Sequence, residues 1–282
     1  MNFHILNLRP LNNSGGNGDV FIGQRSDTGG HVVKKFLREW QLEHAREGFG
    51  REVRVLARGV PGLVPILGWD LTAQPPFYVM PYLQGGALTR YAGRLTDNQL
   101  QCVAAQLART LANLHAVYEV NGDFKPDNVF VTHDGQVQVG DPLGNGTVFT
   151  MLFAKNRGGT PGYWAPEIRE GGSISRAGDS YSYGATLYHL LTGRRPVDGQ
   201  LLDPSSEGYK NAPKIREVIA ACCQLDPNAR PTMQEVLRVL NGEQWLDIQI
   251  ERKKRQQFVG GVCVFVGLLL VSSVLGRRTL AA

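Results

Sequence analysis

The segment NGDFKPDN, residues Asn121–Asn128, is the stretch from which the fold and function of this chain are predicted. It contains a carboxylate at Asp123, a cation at Lys125 and a neutral oxygen ligand at Asn128. Catalysis of phosphoryl transfer needs a carboxylate that orients the acceptor hydroxyl and a cation that neutralises the phosphoryl group. The amide oxygen suits Mg²⁺, which prefers hard oxygen donors. The spacing therefore predicts a phosphoryl-transfer site.

A second carboxylate, Asp141, follows the alternating run 136–139, which predicts a short strand. At the end of that strand it is well placed to bind a metal beside phosphates. A lone aspartate is more often a turn former or a helix cap. The combined spacing from Asp123 to Asp141 favours the metal site.

These residues resemble the eukaryotic-type protein kinase family. The pattern Asp123-x-Lys125-Pro126-x-Asn128 matches its catalytic loop in the form typical of serine/threonine kinases, and the resemblance covers about residues 10–240. It implies an α+β, bilobal fold with a small β-rich N-lobe and a larger α-helical C-lobe. It also implies ATP as phosphate donor, Mg²⁺ with Mn²⁺ as the alternative metal, and protein hydroxyls as acceptors.

Further C-lobe motifs fall in the family's order. The segment 159–167, GTPGYWAPE, resembles the end of the activation segment, where Thr160 would lie beside Asp123 and Glu167 would support the substrate shelf. Asp179 would brace the catalytic-loop backbone. Arg230 would pair with Glu167.

The segment 13–20, NSGGNGDV, aligns with the family's glycine-rich loop, although Asn13 replaces the first glycine. Glycine lets backbone N–H groups approach phosphate because it has no Cβ. Taken alone, the string is typical of a flexible turn; its distance from Lys34 favours the loop. The implied nucleotide contacts are Gly15, Gly16, Gly18 and Val20.

Lys34 closes the run HVVK and is predicted as the phosphate-binding lysine by alignment with the family's V-A-I-K pattern. Its neighbour Lys35 is predicted to point to the opposite face of the strand, into solvent. Glu52 is the predicted helix glutamate that pairs with this lysine, with Glu47 and Glu43 as alternatives.

Met80-Pro81-Tyr82 resembles the hinge between the lobes. Backbone groups of Met80 and Tyr82 would then contact adenine. Core packing is the alternative role for Met80.

Two motifs depart from the family. Asn121-Gly122 replaces a His-Arg pair, which removes the usual receptor for an activation-loop phosphate. Pro142 and Leu143 replace the Phe-Gly after the metal-binding aspartate, and proline restricts φ and has no N–H. Because the polar groups needed for chemistry survive, an active enzyme is favoured over a pseudokinase scaffold. A kinase of small molecules or lipids is disfavoured by Thr160 and the intact Ala-Pro-Glu segment.

Local patterns predict several elements. Strands are expected at Asp19–Gly23 and His31–Phe36, and a helix near Leu42–Ala57. Thr96 with Gln99 and Thr232 with Glu235 form capping boxes, which begin two further helices.

Residues 256–276 carry no charge, and 21 residues are long enough to cross about 30 Å of hydrocarbon as a helix. A buried core helix is the alternative, but it would be amphipathic. The run ERKKR before the segment outweighs the RR after it, which predicts that the catalytic domain faces the cytoplasm. The predicted organisation is an N-lobe (1–82), a C-lobe (83–246), a basic juxtamembrane segment (247–256), a single-pass, tail-anchoring transmembrane helix (257–276) and a short tail (277–282).

The chain has a net charge of +5, and much of this excess comes from two basic runs, residues 252–255 and 277–278, beside the apolar segment. This distribution favours a lipid bilayer over nucleic acid as the partner. The four cysteines lack metal-ligand spacing and are too few for a disulfide framework, and the N-terminus has no signal-peptide pattern. Expected partners are protein substrates, some at the membrane, and a second copy of the chain for trans-autophosphorylation.

Overall fold

Short strands rich in valine and phenylalanine form a five-stranded antiparallel sheet in the first part of the chain, in the order β1-β2-β3-β5-β4. The computed structural model describes residues 3–11, 18–142, 161–200, 202–205 and 208–254. The strands are β1 (Ile5–Pro10), β2 (Gly18–Arg25), β3 (His31–Leu37), β4 (Gly68–Asp70) and β5 (Phe77–Pro81). Because β3 lies between β2 and β5, its side chains occupy the centre of both faces of the sheet.

One helix, α1 (Glu43–Ala57), connects β3 to β4. It buries a stripe of residues at helical spacing, which comprises Phe49, Glu52, Val53 and Leu56. Glu52 therefore lies on the buried face of the helix, although an unpaired carboxylate is costly to bury.

Helices dominate the chain after residue 90. They are α2 (Asp97–Ala116), α3 (Pro166–Arg169), α4 (Arg176–Thr192), α5 (Pro213–Cys222) and α6 (Met233–Leu240). Three short strands form a second sheet: β6 (Gly86–Ala87), β7 (Val129–Val131) and β8 (Val137–Val139). Short 3-10 turns occur at Leu88–Tyr91, Pro126–Asn128 and Pro161–Tyr163. Helix α4 is buried from Gly178 to Thr192 and forms the centre of this α-helical part.

The chain divides into two compact units, Met1–Leu237 and Arg238–Ala282. In the second unit, residues 245–254 are helical and follow a turn in which Gly242 adopts φ +114°. Arg238 pairs with Glu243 and Glu251 in this unit. Among the described residues no helix has the length and apolar character needed to cross a bilayer. The predicted span 257–276 lies outside the described residues.

Glu167 and Arg230 form a bidentate ion pair that connects α3 to the loop before α6. The guanidinium Nη1 and Nη2 atoms lie 2.6 and 2.8 Å from the two carboxylate oxygens. Arg230 also donates to the backbone carbonyls of Gln224, Leu225 and Ala177. The planar guanidinium can make all these bonds at once, whereas a lysine ammonium has three donors and no fork geometry.

We therefore expect Arg230→Lys to lower the free energy of unfolding by about 2 kcal/mol, because a buried charge loses part of its hydrogen bonding. Chemical denaturation of the full chain measures this. Arg216→Lys is the matched control, since Arg216 makes similar bonds at an exposed position. An equal loss of unfolding free energy in the two variants would contradict a special role for the ion pair of Glu167 and Arg230.

Candidate active site

The turn Lys125–Asn128 brings the three polar groups of the NGDFKPDN segment together. Lys125 Nζ lies 2.9 and 2.7 Å from the two carboxylate oxygens of Asp123. Asn128 Nδ2 donates to Asp123 Oδ2 and to the Asp123 backbone carbonyl, both at 2.9 Å. The Asn128 side chain is thereby oriented by its amide nitrogen, while its oxygen accepts no hydrogen bond from the residues that the structure describes.

Asp179 at the start of α4 holds the backbone just before Asp123. Its two carboxylate oxygens accept the N–H groups of Asn121 and Gly122 at 2.7 and 2.9 Å. His115 Nε2, from the end of α2, lies 2.9 Å from Asp179 Oδ2. This is the bracing contact that the resemblance implies for Asp179, and His115 is a partner that the sequence analysis missed.

The two atypical residues of the loop make their own contribution to its shape. Asn121 is fully buried, and its Oδ1 accepts the backbone N–H of Asp123 at 3.1 Å. Gly122 adopts φ +78°, a conformation that costs a residue with a Cβ roughly 1–2 kcal/mol. Asparagine followed by glycine is typical of tight turns for these reasons. The loop that carries Asn121-Gly122 in place of His-Arg therefore keeps these hydrogen bonds, although the Asn121 amide nitrogen is buried with no hydrogen-bond partner among the described residues.

The lysine at the centre of the site is Lys35, and the prediction of Lys34 was wrong. Lys35 Nζ lies 2.8 Å from Glu52 Oε1 and 2.8 Å from Asp141 Oδ1. Lys35 is buried, on the face of β3 that also carries Val33. Glu52, in preference to Glu47 or Glu43, is the helix glutamate in this ion pair.

Lys34 points to the other face of the sheet. Its Nζ atom lies 3.5 Å from the centroid of the Phe77 ring and 4.7 Å from that of Phe36. Successive side chains of a strand alternate between faces, so only one of the two adjacent lysines can reach Glu52. Lys35 rather than Lys34 is opposite Val20 and Tyr78 in the sheet register.

A buried tyrosine hydroxyl completes the cluster around Lys35. Tyr78 on β5 donates to Glu52 Oε1 at 2.6 Å and lies 3.3 Å from Asp141 Oδ1. Tyr78 is not among the site residues predicted from the sequence. Successive residues of β5 alternate between the two faces of the sheet, which places Tyr78 on the same face as Lys35. The sequence pattern therefore indicates Tyr78 once Lys35 is identified as the lysine of the site.

Burial and charge shift the proton affinities of these groups. Burial raises the pKa of Glu52 to about 7, against the opposing charge of Lys35. Burial alone would lower the pKa of Lys35, but Asp141 and Glu52 raise it above its usual range. Burial also raises the pKa of Asp123, although Lys125 and Asn128 oppose the shift and the charge of Asp141 adds to it. Gly140 N–H donates to the Asn128 backbone carbonyl at 2.8 Å, so Asp141 follows directly on a residue that is bonded to the loop of Asp123.

Backbone bonds join the loop that follows α1 to β8, the strand that leads to Asp141. Val64 N–H donates to Val139 O, and Val139 N–H donates to Gly62 O, both at 2.9 Å. Gly62 adopts φ +94°, and a Cβ there would overlap the Thr110 side chain of α2. The loop that follows the helix of Glu52 is thus bonded to the strand that precedes Asp141.

The structure describes only some of the remaining predicted site residues. Gly15, Gly16, Leu143 and Thr160 lie outside the described residues. Gly18 begins β2, and Val20 pairs with Lys35 across the sheet. Met80 lies on β5 opposite Val33. The N–H of Tyr82 is bonded to His31 O at 3.1 Å, so it is not free to contact adenine.

A sequence profile described as the protein kinase domain matches residues 13–240. PkwA, a probable serine/threonine-protein kinase of Thermomonospora curvata, is 32% identical over 254 residues, or 82% of this chain and 34% of that protein. The DNA damage-responsive serine/threonine-protein kinase RqkA of Deinococcus radiodurans is 34% identical over 204 residues, or 68% of this chain and 30% of that protein. The chain thus spans about a third of the length of these curated relatives.

Proposed function

Because this chain belongs to the protein kinase family, we propose that it is a serine/threonine kinase that transfers the γ-phosphoryl group of ATP to protein hydroxyls. The observation that carries this proposal is the position of Asp141. It contacts Lys35 directly, and the preceding residue, Gly140, donates its N–H at 2.8 Å to the backbone carbonyl of Asn128 in the loop that carries Asp123. Nucleotide-binding and acceptor-binding groups therefore share one site. The names of the relatives and the Lys125-Pro126 pair support serine and threonine as acceptors.

Each polar group has a distinct task in this proposal. Asp123 orients the acceptor hydroxyl and takes up its proton, and Lys125 stabilises negative charge on the transferring phosphoryl group. Lys35 uses two of its three N–H groups on Glu52 and Asp141. The third is available to a phosphate oxygen of ATP.

The residues present fit a magnesium ion. Asn128 keeps its side-chain oxygen available, because its amide nitrogen makes the bonds to Asp123. Asp141 Oδ1 faces Lys35 and Tyr78, while Oδ2 accepts no hydrogen bond from the described residues. Two hard oxygen donors are therefore free to hold the ion. When bound, Mg²⁺ neutralises charge on the phosphates of ATP.

The proposed activity is tested by incubating the full chain with γ-labelled ATP, Mg²⁺ and a generic protein substrate. We expect label on serine and threonine, in the chain itself or in the substrate, and none on tyrosine. Transfer confined to tyrosine would reject the acceptor class. ATP binding with no transfer to any protein would reject the activity.

A catalytically inactive nucleotide-binding scaffold is the second candidate. The replacement of His-Arg by Asn121-Gly122 and the Pro142 after the metal-binding aspartate favour it. An Asp123→Asn variant distinguishes the candidates in cells, because a scaffold keeps its biological effect without this carboxylate.

We also propose that residues 257–276 anchor the protein in a membrane. The uncharged segment and the basic runs on either side of it support a membrane span, with the catalytic domain in the cytoplasm. Tethering raises the effective concentration toward membrane-bound substrates and toward a second copy of the chain.

We expect the full chain to stay with the membrane fraction after alkaline extraction. A Val266→Arg, Leu269→Arg double variant should move to the soluble fraction, because each central arginine costs about 2.5–3.5 kcal/mol on insertion scales. The Val266→Leu, Leu269→Val variant is the matched control. Membrane retention of the arginine variant would argue against a span here.

A further inference from the structure

The hydroxyl of Tyr78 lies at the centre of the Lys35 cluster. It is 2.6 Å from Glu52 Oε1 and 3.3 Å from Asp141 Oδ1, the same two oxygens that Lys35 Nζ contacts at 2.8 Å. Tyr78 is completely buried. The Tyr78 hydroxyl and the Lys35 ammonium thus contact the same two carboxylate oxygens, one on Glu52 and one on Asp141.

The fold holds Tyr78 in this position from two sides. In the register of β3 with β5, Tyr78 is the direct partner of Lys35, so both side chains lie on one face of the sheet. The Tyr78 ring also contacts the Phe49 ring of α1, with centroids 5.4 Å apart. Phe49 and Glu52 are three residues apart on α1 and therefore face the same way.

The phenol acts as a donor here. Burial raises the pKa of Tyr78 well above its usual range, so the hydroxyl keeps its single hydrogen. That hydrogen goes to the nearer oxygen, on Glu52. Among the described residues, Lys35 and Tyr78 are the two hydrogen-bond donors to the Glu52 carboxylate.

This arrangement has a consequence for nucleotide binding. Lys35 must share its N–H groups between Glu52, Asp141 and a phosphate oxygen. Within the described part of the chain, the Tyr78 hydroxyl has no other acceptor that is as close as Glu52. Tyr78 therefore keeps the Glu52 carboxylate oriented while the contacts of Lys35 change. A phenylalanine would fill the same space without this bond.

We propose that Tyr78 is a positioning residue of the nucleotide site, which fixes the Glu52 carboxylate and through it the Lys35 ammonium that binds ATP phosphate. This role rests on the proposed function. The competing explanation is that the Tyr78 hydroxyl is purely structural and only provides a hydrogen-bond partner for a buried polar group.

The test is Tyr78→Phe in the full chain, with ATP affinity measured by displacement of a fluorescent nucleotide in the presence of Mg²⁺ and kcat/KM for ATP measured where transfer occurs. We expect both to fall about tenfold, because a hydrogen bond to a charged group is lost. Tyr183→Phe is the matched control, since Tyr183 is equally buried and its hydroxyl donates to Ala104 O at 2.9 Å in the α-helical part. That variant should lose stability without losing ATP affinity.

A double-mutant cycle separates positioning from structure. In a Glu52→Gln background, Tyr78→Phe should change ATP affinity by much less than in the wild-type background. An equal loss in both backgrounds, or no loss in either, would overturn the role of Tyr78. A wild-type chain that binds ATP but transfers no phosphate would reject the kinase activity and leave the affinity cycle valid. A wild-type chain that binds no ATP would reject both.

Discussion

Asp123→Asn should lower kcat by about 10²–10⁴-fold, the range that a positioned general base contributes, while the affinity for Mg·ATP stays nearly unchanged. Asparagine has the shape of aspartate, but it carries no negative charge and cannot take up the hydroxyl proton. The side chain is held by Lys125 and Asn128, whose contacts fix its orientation toward an acceptor. Because burial already raises the pKa of this carboxyl, its proton affinity is better matched to accepting a proton near neutral pH.

The measurement is the initial rate of labelled phosphate transfer at saturating ATP, with nucleotide affinity determined separately. Asp134→Asn is the matched control, because Asp134 is an exposed aspartate in the turn between β7 and β8. It should leave kcat and ATP affinity as they are. If Asp123→Asn kept more than a tenth of the wild-type kcat, Asp123 could not have the role proposed for it.

Elements with strong local signals were predicted closely. The predicted helix Leu42–Ala57 corresponds to α1 (Glu43–Ala57), and the predicted strands lie within β2 and β3. The capping box of Thr96 and Gln99 begins α2, with both reciprocal bonds present. A cap can be read from four consecutive residues, so no knowledge of the tertiary fold is needed.

The choice between Lys34 and Lys35 could not be made from local pattern. In the run HVVKKF both valines are buried and two lysines are adjacent, so the hydrophobic alternation that assigns strand faces is absent. The face is decided by partners distant in the chain, namely α1 with Glu52 on one side and the Phe77 ring on the other. The family pattern V-x-x-K, counted from Val32, ends at Lys35, and the alignment was placed one residue too early.

The role of Asn121-Gly122, which departs from the family pattern, could also be interpreted only with the structure. From sequence, Asn121-Gly122 is a loss of two functional residues. In the structure Asn121 Oδ1 holds the Asp123 backbone, and Gly122 provides a positive φ where Asp179 accepts its N–H. Asn121 and Gly122 therefore both contribute to the shape of the loop that carries Asp123.

Lys35→Met should be the most damaging single substitution at the nucleotide site. We expect kcat/KM for ATP to fall by about 10²–10³-fold, as for the loss of a preorganised donor to a charged transition state. The free energy of unfolding should also fall by about 3 kcal/mol, because Glu52 and Asp141 lose the cation that both contact. Kinase assays and chemical denaturation of the full chain measure the two effects.

Lys34→Met is a demanding control, because it changes the adjacent residue in the same strand in the same way. It removes the contacts of the ammonium with the Phe77 and Phe36 rings, which are worth about 0.5–1 kcal/mol of stability. It should leave kcat/KM for ATP unchanged, since Lys34 lies on the face of the sheet away from Glu52. The reverse result, with Lys34→Met inactive and Lys35→Met active, would mean that β3 is shifted by one residue from the register described. Such a shift would exchange the two faces of the strand and remove Lys35, Glu52 and Asp141 from a common site.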